Sequence, residues 1–229
     1  TLTQLNYCAS GSTGNQNYFT NFVTTGAITN VSNPTGYAVG GYGNYTSMTI
    51  TQAQNGTVTV NTSYNDMAGG VGIAMWVDWN QDGTFDNTTE RVYNSAAWLS
   101  VAPVVTFTVP PTAVLGNTRM RIVVDWNLTS PNACGSMTRG ETEDYAFFVV
   151  TPPPALTLST NSLAQCAGDT SGLVTITAGL SDYQTFTWTP SAGVSGTSGG
   201  GYTFTNTTTQ TYTLTATQTV SPFRFNTAT

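Results

Sequence analysis

Apolar and polar residues alternate with a period of two through much of the chain. In 45–51 the apolar positions are Met48 and Ile50, and in 57–63 they are Val58 and Val60, with Thr, Ser and Asn between them. A two-residue period turns one face of a segment to a core and the other to solvent, so both stretches predict half-buried β-strands. Strands are also predicted over 27–31, 104–109, 119–126 and 145–151, and 18–23 is an aromatic segment. The stretch 71–79 is almost continuously apolar, as expected for a strand buried on both faces. Asn55-Gly56 lies between two alternating segments and is a strong hairpin signal. Pro110-Pro111 and Gly116-Asn117 punctuate the strands around them. No segment carries a convincing helical period.

Pro152-Pro153-Pro154 reads as a stiff extended linker between a first domain at 1–151 and a second at 155–229. In the second, Val174, Ile176, Tyr183, Trp188, Tyr202, Phe204, Tyr212, Leu214 and Ala216 fall on period-two strands, with Thr on the opposite face. The short, regularly spaced strands suggest an immunoglobulin-like sandwich, with 193–201 as a Gly/Ser loop. The predicted fold class is all-β: two consecutive β-sandwich domains.

Composition narrows the chemistry. Charged residues make up 7 % of 229 positions, and the net charge is −6. Thr supplies roughly a fifth of the chain, well above ordinary usage. With 39 % hydrophobic residues, a core can still form, so the chain reads as globular rather than disordered. The five basic residues are all Arg, and there is no Lys and no His. Without a basic patch, neither nucleic acid nor an anionic membrane surface is an expected partner. No apolar run is long enough for a membrane helix. The absence of His removes Ser-His-Asp and Cys-His nucleophiles and His-zinc hydrolysis, and the absence of Lys removes Walker A loops and Schiff bases. A two-carboxylate glycosidase remains formally open, but no substrate cleft is signalled and the chain reads as a non-enzyme. A start at Thr1 rather than Met reads as a processed or excised segment.

The densest chemistry lies at 78–90. Asp78, Asn80 and Asp82 place oxygen ligands at alternate positions, and Gly83 follows where a calcium loop turns sharply. Thr84 would offer its carbonyl, and Asp86 or Glu90 could close the cage. The twelfth loop position, where an EF-hand has Glu, is Thr89, and a strand rather than a helix precedes. The expectation is a calcium-type loop on a β scaffold; the alternative is an Asx-rich β-turn. Val124-Asp125-Trp126-Asn127 repeats Val77-Asp78-Trp79-Asn80 without the following Asp-Gly, and reads as a strand end.

Tyr7-Cys8, the Asp78–Gly83 loop, Val109-Pro110, Gly116-Asn117-Thr118-Arg119-Met120-Arg121 and Gly140-Glu141-Thr142-Glu143-Asp144-Tyr145 occur in order over 1–150. This set resembles the GEVED domain of bacterial surface and secreted proteins, with Thr142 in place of the signature Val. The resemblance implies a jelly-roll-like sandwich and export to the cell surface, often by the type IX route. Cys166, Phe186-Thr187-Trp188-Thr189-Pro190 and Thr211-Tyr212-Thr213-Leu214-Thr215 resemble the Ig-like or PKD-like repeats of Bacteroidetes-type adhesins.

Glu141, Glu143 and Asp144 form the densest acidic cluster and, if buried, would need cations. Arg119 and Arg121 share one strand face and could form an Arg–Glu ladder across strands, or one or two of the acids could complete the Asp78–Asp82 cage. Trp76, Trp126 and Trp188 are expected in cores and Trp98 at the surface. Cys8 and Cys134 bracket the first domain and are expected to form a disulfide, which suits an oxidising, extracellular setting. Cys166 is left over, with burial as a free thiol expected. Val220, Phe223 and Phe225 at the end either fold back as a last strand or join an open edge of another copy. The functional expectation is an extracellular structural or adhesive module, such as a filament or stalk subunit, with calcium, other copies and glycans as partners, or else a carbohydrate-binding accessory module.

Overall fold

The first strand pairings explain how the long middle of the chain is buried. The computed structural model describes residues 5–66, 69–218 and 225–229, and the chain divides into two compact units, Thr1–Pro152 and Pro153–Thr229. The first unit contains β1 (Ser10–Ser12), β2 (Tyr18–Thr25), β3 (Ser32–Asn33), β4 (Tyr42–Ala53), β5 (Thr57–Asn65), β6 (Gly72–Val77), β7 (Arg91–Asn94), β8 (Val104–Thr108), β9 (Gly116–Asp125), β10 (Gly135–Met137) and β11 (Gly140–Val150). The two larger sheets run in the orders β4-β11-β9-β6-β7 and β3-β2-β5-β8, and β1 pairs separately with β10.

Phe19 and Phe22 of β2, Val58 and Val60 of β5, and Phe107 of β8 face Ile73, Met75, Val77, Met120, Ile122 and Phe147 of the other sheet, in one buried cluster. Aligned faces of this kind make a sandwich. β4 pairs parallel with β11, which differs from the all-antiparallel strands of a jelly roll. Every residue of β6 is buried: Ile73, Met75 and Val77 enter the inter-sheet core, while Ala74 and Trp76 form a second cluster with Val123 and Ala133 on the outer face. That explains the unbroken apolar run.

Asn55-Gly56 does not close a hairpin. β4 and β5 belong to different sheets, and the turn carries the chain across the sandwich. Gly56 N–H donates to the Ala53 carbonyl at 2.9 Å, so Asn55 is the third turn residue, and its φ of 66° suits a type II turn. The predicted strand at 27–31 reduces to a bridge between Thr29 and Thr51, followed by β3.

The second unit holds β12 (Thr157–Leu158), β13 (Ile176–Ala178), β14 (Thr185–Thr189), β15 (Val194–Thr197), β16 (Gly201–Phe204), β17 (Thr213–Thr217) and β18 (Phe225–Ala228). Its core gathers Leu156, Val174, Trp188, Tyr202, Phe204 and Leu214. On the sheet β14-β17-β18, Thr185, Thr187 and Thr189 lie opposite Thr217, Thr215 and Thr213, the Thr face foreseen from the alternation. The stretch 193–201 is not a loop throughout: β15 and β16 pair as a hairpin. β18 pairs antiparallel with β17, so this end of the chain folds back on its own unit. Val220 and Phe223 lie outside the described residues, as does the side chain of Phe225. Among the described residues no helix is long and apolar enough to cross a membrane.

Candidate functional site

The polar chemistry of the first unit is divided between the two faces of one sheet. β9 and β11 pair with Arg121 opposite Asp144, and β6 and β9 pair with Trp76 opposite Arg121. Opposite residues share a face, so Trp76, Arg121 and Asp144 lie together on the outer face. Asp78, whose N–H donates to the Arg119 carbonyl at 3.0 Å, continues that face. Glu141, Glu143 and Tyr145 alternate with Thr142 and Asp144 and project the other way.

On the outer face, Arg121 holds Asp144 with Nε–Oδ1 at 2.7 Å and an Nη2–Oδ2 bond of 2.8 Å. Arg119 reaches the same carboxylate at 3.3 Å, and the Tyr42 hydroxyl donates to it at 2.7 Å. Burial, then the Asp144 charge, pushes the Tyr42 phenol up to about 12. The remaining Arg121 donor reaches the carbonyls of Cys8 and Ala133 at 3.0 and 2.8 Å. The expected cross-strand ladder is therefore Arg–Asp and not Arg–Glu.

The segment ahead of β1 is strapped over this face. Cys8 and Cys134 are disulfide-bonded, and β1 pairs parallel with β10. Ser10 and Thr142 hydroxyls meet at 2.7 Å. Tyr7 donates to Asp78 Oδ2 at 2.7 Å, lies 5.1 Å from the Phe85 ring centroid, and carries the Arg119 guanidinium 4.2 Å above its ring. Its phenol is pushed well up, first by burial. Sequence reasoning missed Tyr7 and Tyr42 as partners of these acids, since nothing local marks contacts so distant along the chain.

The 78–90 loop closes beside this strap. Buried Asp78 accepts from Gly83 N–H at 3.0 Å and from Asp82 N–H at 3.3 Å, and its carbonyl accepts from the Thr118 hydroxyl. Asn80 Oδ1 accepts from Asp82 N–H at 2.9 Å, while its amide donates to Asp82 Oδ2 at 2.9 Å. Asp82 Oδ1 accepts from the Thr84 hydroxyl and N–H, at 2.6 and 2.8 Å, and these bonds hold its carboxyl below the usual range. Asp86 turns outward to cap Thr88 and Thr89. Glu90 is buried and reaches back under the loop to Asp86 N–H at 2.9 Å. Its carboxyl is raised by burial, and the charges of Asp78 and Asp82 add to the rise. Gly83 has φ +83°, the turn that the position requires.

The donors are all oxygens, as calcium requires, yet they are engaged by the loop's own N–H groups. Among the described residues no three Asp, Glu or Cys side chains gather as a ready-made metal site. The acids at 141–144 do not complete a cage around Asp78 and Asp82: Glu141 and Glu143 are behind the sheet, and both Asp144 oxygens are held by arginine.

On the inner face, Glu141 accepts from Phe19 N–H at 2.9 Å and Ala38 N–H at 2.6 Å. Glu143 Oε2 accepts from the Tyr145 hydroxyl at 2.8 Å, which in turn accepts from the Asn33 amide at 2.9 Å. Among the described residues, Glu143 Oε1 is buried without a partner. Both glutamates are pushed up to about 7, mainly by burial, with the Glu141 charge adding to the rise at Glu143. The two therefore lie buried on one face, close enough for the charge of one to act on the other, and a protonated carboxyl is favoured there over a second charge.

Asp125 ends β9, and its Oδ1 accepts from Asn127 N–H at 2.8 Å, a strand end as its sequence suggests. Trp126 is half-buried rather than core, with the Arg139 guanidinium 4.5 Å over its ring. Trp98 is exposed, and Trp76 and Trp188 are buried. Cys166 is free and exposed, not the buried thiol expected: the turn that carries it lies outside the second core.

The family model of the GEVED domain matches residues 72–148. That span runs from the start of β6 into β11 and includes the 78–90 loop, both arginines and 140–145; it is narrower than the 1–150 resemblance. No curated protein matches. Among solved structures, murine CEACAM1b is 10 % identical over 77 % of this chain and 92 % of its own, with a TM-score of 0.25. The tandem Ig repeats of Dlar are 10 % identical over 80 % and 89 %, with a TM-score of 0.28. The ICAM-5 D1–D4 ectodomain fragment is 16 % identical over 78 % and 44 %, with a TM-score of 0.29. Superpositions this loose add nothing to the geometry above.

Proposed function

We propose that this chain is an extracellular structural and adhesive module of a bacterial surface protein, and that its charged residues serve folding rather than catalysis. The observation that carries the reading is the strap over the outer face. A disulfide, a parallel strand pair, Tyr7–Asp78 and Arg121 all tie one segment down. A structural disulfide belongs to an oxidising compartment. The acids of the 72–148 region are committed to internal partners, whereas a catalytic acid needs a cleft and a poised geometry. Low charge and Thr-rich faces suit lateral contacts with other copies or neighbouring domains, in a stalk or filament.

Calcium is part of the proposal. Asp78, Asn80, Asp82, the Thr84 carbonyl and Glu90 would hold it in place of the loop's present hydrogen bonds. The ion would neutralise Asp78 and Asp82, whose charges raise Glu90. The test of the reading is protease treatment of intact cells that make the protein. Peptides from this chain should be released without lysis. Their release only after lysis would place the module inside and defeat the proposal.

A further inference from the structure

The disulfide that ties down the strap has two unlike ends. Cys134 is exposed, in the segment that leads into β10, whereas Cys8 is half-buried. Arg121 sits on the Cys8 side. Its Nη1 lies 3.4 Å from Cys8 Sγ and donates to the Cys8 carbonyl at 3.0 Å, while Nε and Nη2 hold Asp144. The other charged groups at this place are engaged elsewhere: Asp144 also takes Arg119 and the Tyr42 hydroxyl, and Asp78 takes the Tyr7 hydroxyl. One end of the bridge thus faces solvent, and the other lies against a guanidinium.

Thiol–disulfide exchange is decided by which sulfur an incoming thiolate reaches and by how readily the other sulfur leaves. Here both favour one direction. Access favours attack at Cys134. A neighbouring guanidinium lowers the pKa of a thiol, so Cys8 is the better leaving group. The backbone also keeps the pair together once the bond opens. Gly135 N–H donates to the Ala9 carbonyl at 2.9 Å, and Ser10, Gly11 and Ser12 pair with Gly135, Ser136 and Met137. Cys8 therefore stays beside Cys134, in place to attack it again.

We propose that Cys134 is a site of reversible S-thiolation by low-molecular-weight thiols, with Cys8 as the leaving and resolving group and Arg121 stabilising its thiolate. In the forward step the incoming thiolate sulfur bonds to Cys134 Sγ. The Cys8–Cys134 bond breaks, and its electron pair stays on Cys8 Sγ, beside Arg121 Nη1. One disulfide and one thiolate become another disulfide and another thiolate, so no oxidant is consumed. In the reverse step Cys8 attacks Cys134 Sγ and expels the small thiol as its thiolate. The opened form keeps β1 on β10, Tyr7 on Asp78 and Ser10 on Thr142, so the strap loses its covalent tie without leaving the sheet. The proposal goes beyond the structural reading: the link that stiffens the first unit is also one that a small thiol opens. Its test does not depend on where the module lies, which proteolysis of intact cells decides separately.

The experiment treats the folded full chain with reduced glutathione, quenches early with acid, alkylates free thiols with a maleimide and maps the peptides without reduction. Glutathione should be found on Cys134 and the maleimide on Cys8, about tenfold or more over the reverse arrangement, because access and leaving-group pKa act together. The same treatment in denaturant should give both arrangements in comparable amounts. Arg121→Met with Asp144→Leu should slow the exchange about tenfold by removing the cation from the leaving thiolate. If that variant fails to fold, the opened wild type decides. Its Cys8 should alkylate with a midpoint at lower pH than Cys166, the exposed free thiol of the same chain. The proposal is overturned if the adduct forms chiefly on Cys8, if the folded protein shows no preference, or if it forms no adduct. It is equally overturned if the folded double variant exchanges as fast as wild type, or if Cys8 alkylates no more readily at low pH than Cys166.

Discussion

Arg121 and Asp144 form a two-bonded ion pair across β9 and β11, at 2.7 and 2.8 Å, with both side chains essentially sealed from solvent. A buried pair of this kind is costly to break from one side, because the remaining charge keeps its desolvation penalty. Arg121 also ties the strap, through the carbonyls of Cys8 and Ala133. Arg121→Met alone should therefore destabilise the first unit by about 3–5 kcal/mol. Arg121→Met with Asp144→Leu should recover part of that loss, leaving unpaired the two carbonyls, the Tyr42 hydroxyl and the Asp144 side of Arg119. Urea unfolding of the three proteins checks the order.

The glutamate pair makes stability depend on pH. The folded values for Glu141 and Glu143 are about 7, above the ordinary 4.5. The folded state thus binds more protons than the unfolded state between those values. Stability should fall as pH rises from about 4.5 through 7, by a few kcal/mol at most. Glu143→Gln removes one titrating group and keeps an oxygen for Tyr145, so its profile should be flatter and its stability at pH 8 higher than wild type. Urea midpoints at pH 5, 6, 7 and 8 measure this. A variant profile parallel to wild type would show that Glu143 is not the proton carrier.

Much of this architecture is legible from residue order, and the rest fails for identifiable reasons. The period of two marked β4, β5 and the strands of the second unit, because alternation follows directly from burying one face. The unbroken run at 71–79 marked β6 as two-sided. The partner of each strand was not legible. Asn55-Gly56 carries a local turn preference, but tertiary burial of both flanking strands in different sheets decides where the turn leads. The acids at 141–144 look like one cluster because they are adjacent in sequence. Alternation itself separates them: Glu141 and Glu143 face the inner core, and Asp144 faces the arginines. The ties of Tyr7 to Asp78 and Tyr42 to Asp144 span 71 and 102 residues, beyond any local signal.

Calcium, if the loop takes it, binds the folded state alone. It should then raise the melting temperature, with a gain of about 2.7 kcal/mol at a hundredfold excess over Kd. Asp82→Ala should remove most of that gain. Thermal scans in calcium and in a chelator compare the two; identical wild-type curves would leave the loop as a hydrogen-bonded turn.

Gly72 sits where β6 passes the 128–129 segment. A Cβ there would meet the Leu128 carbonyl oxygen at 2.0 Å, which is backbone and cannot rotate away. Gly72→Ala should cost about 1–3 kcal/mol through forced displacement. Chemical denaturation of the variant gives that value directly.

The Cys8–Cys134 disulfide locks the strap over the outer face of the first unit. The disulfide closes a loop with a sequence separation of 126, for which the chain-entropy model gives on the order of 4–5 kcal/mol. The most direct measurement is a non-reducing peptide map of the protein taken from the cells that produce it. One linked peptide pair joining Cys8 to Cys134 is expected, with Cys166 outside that link. Free thiols at both Cys8 and Cys134 would contradict it.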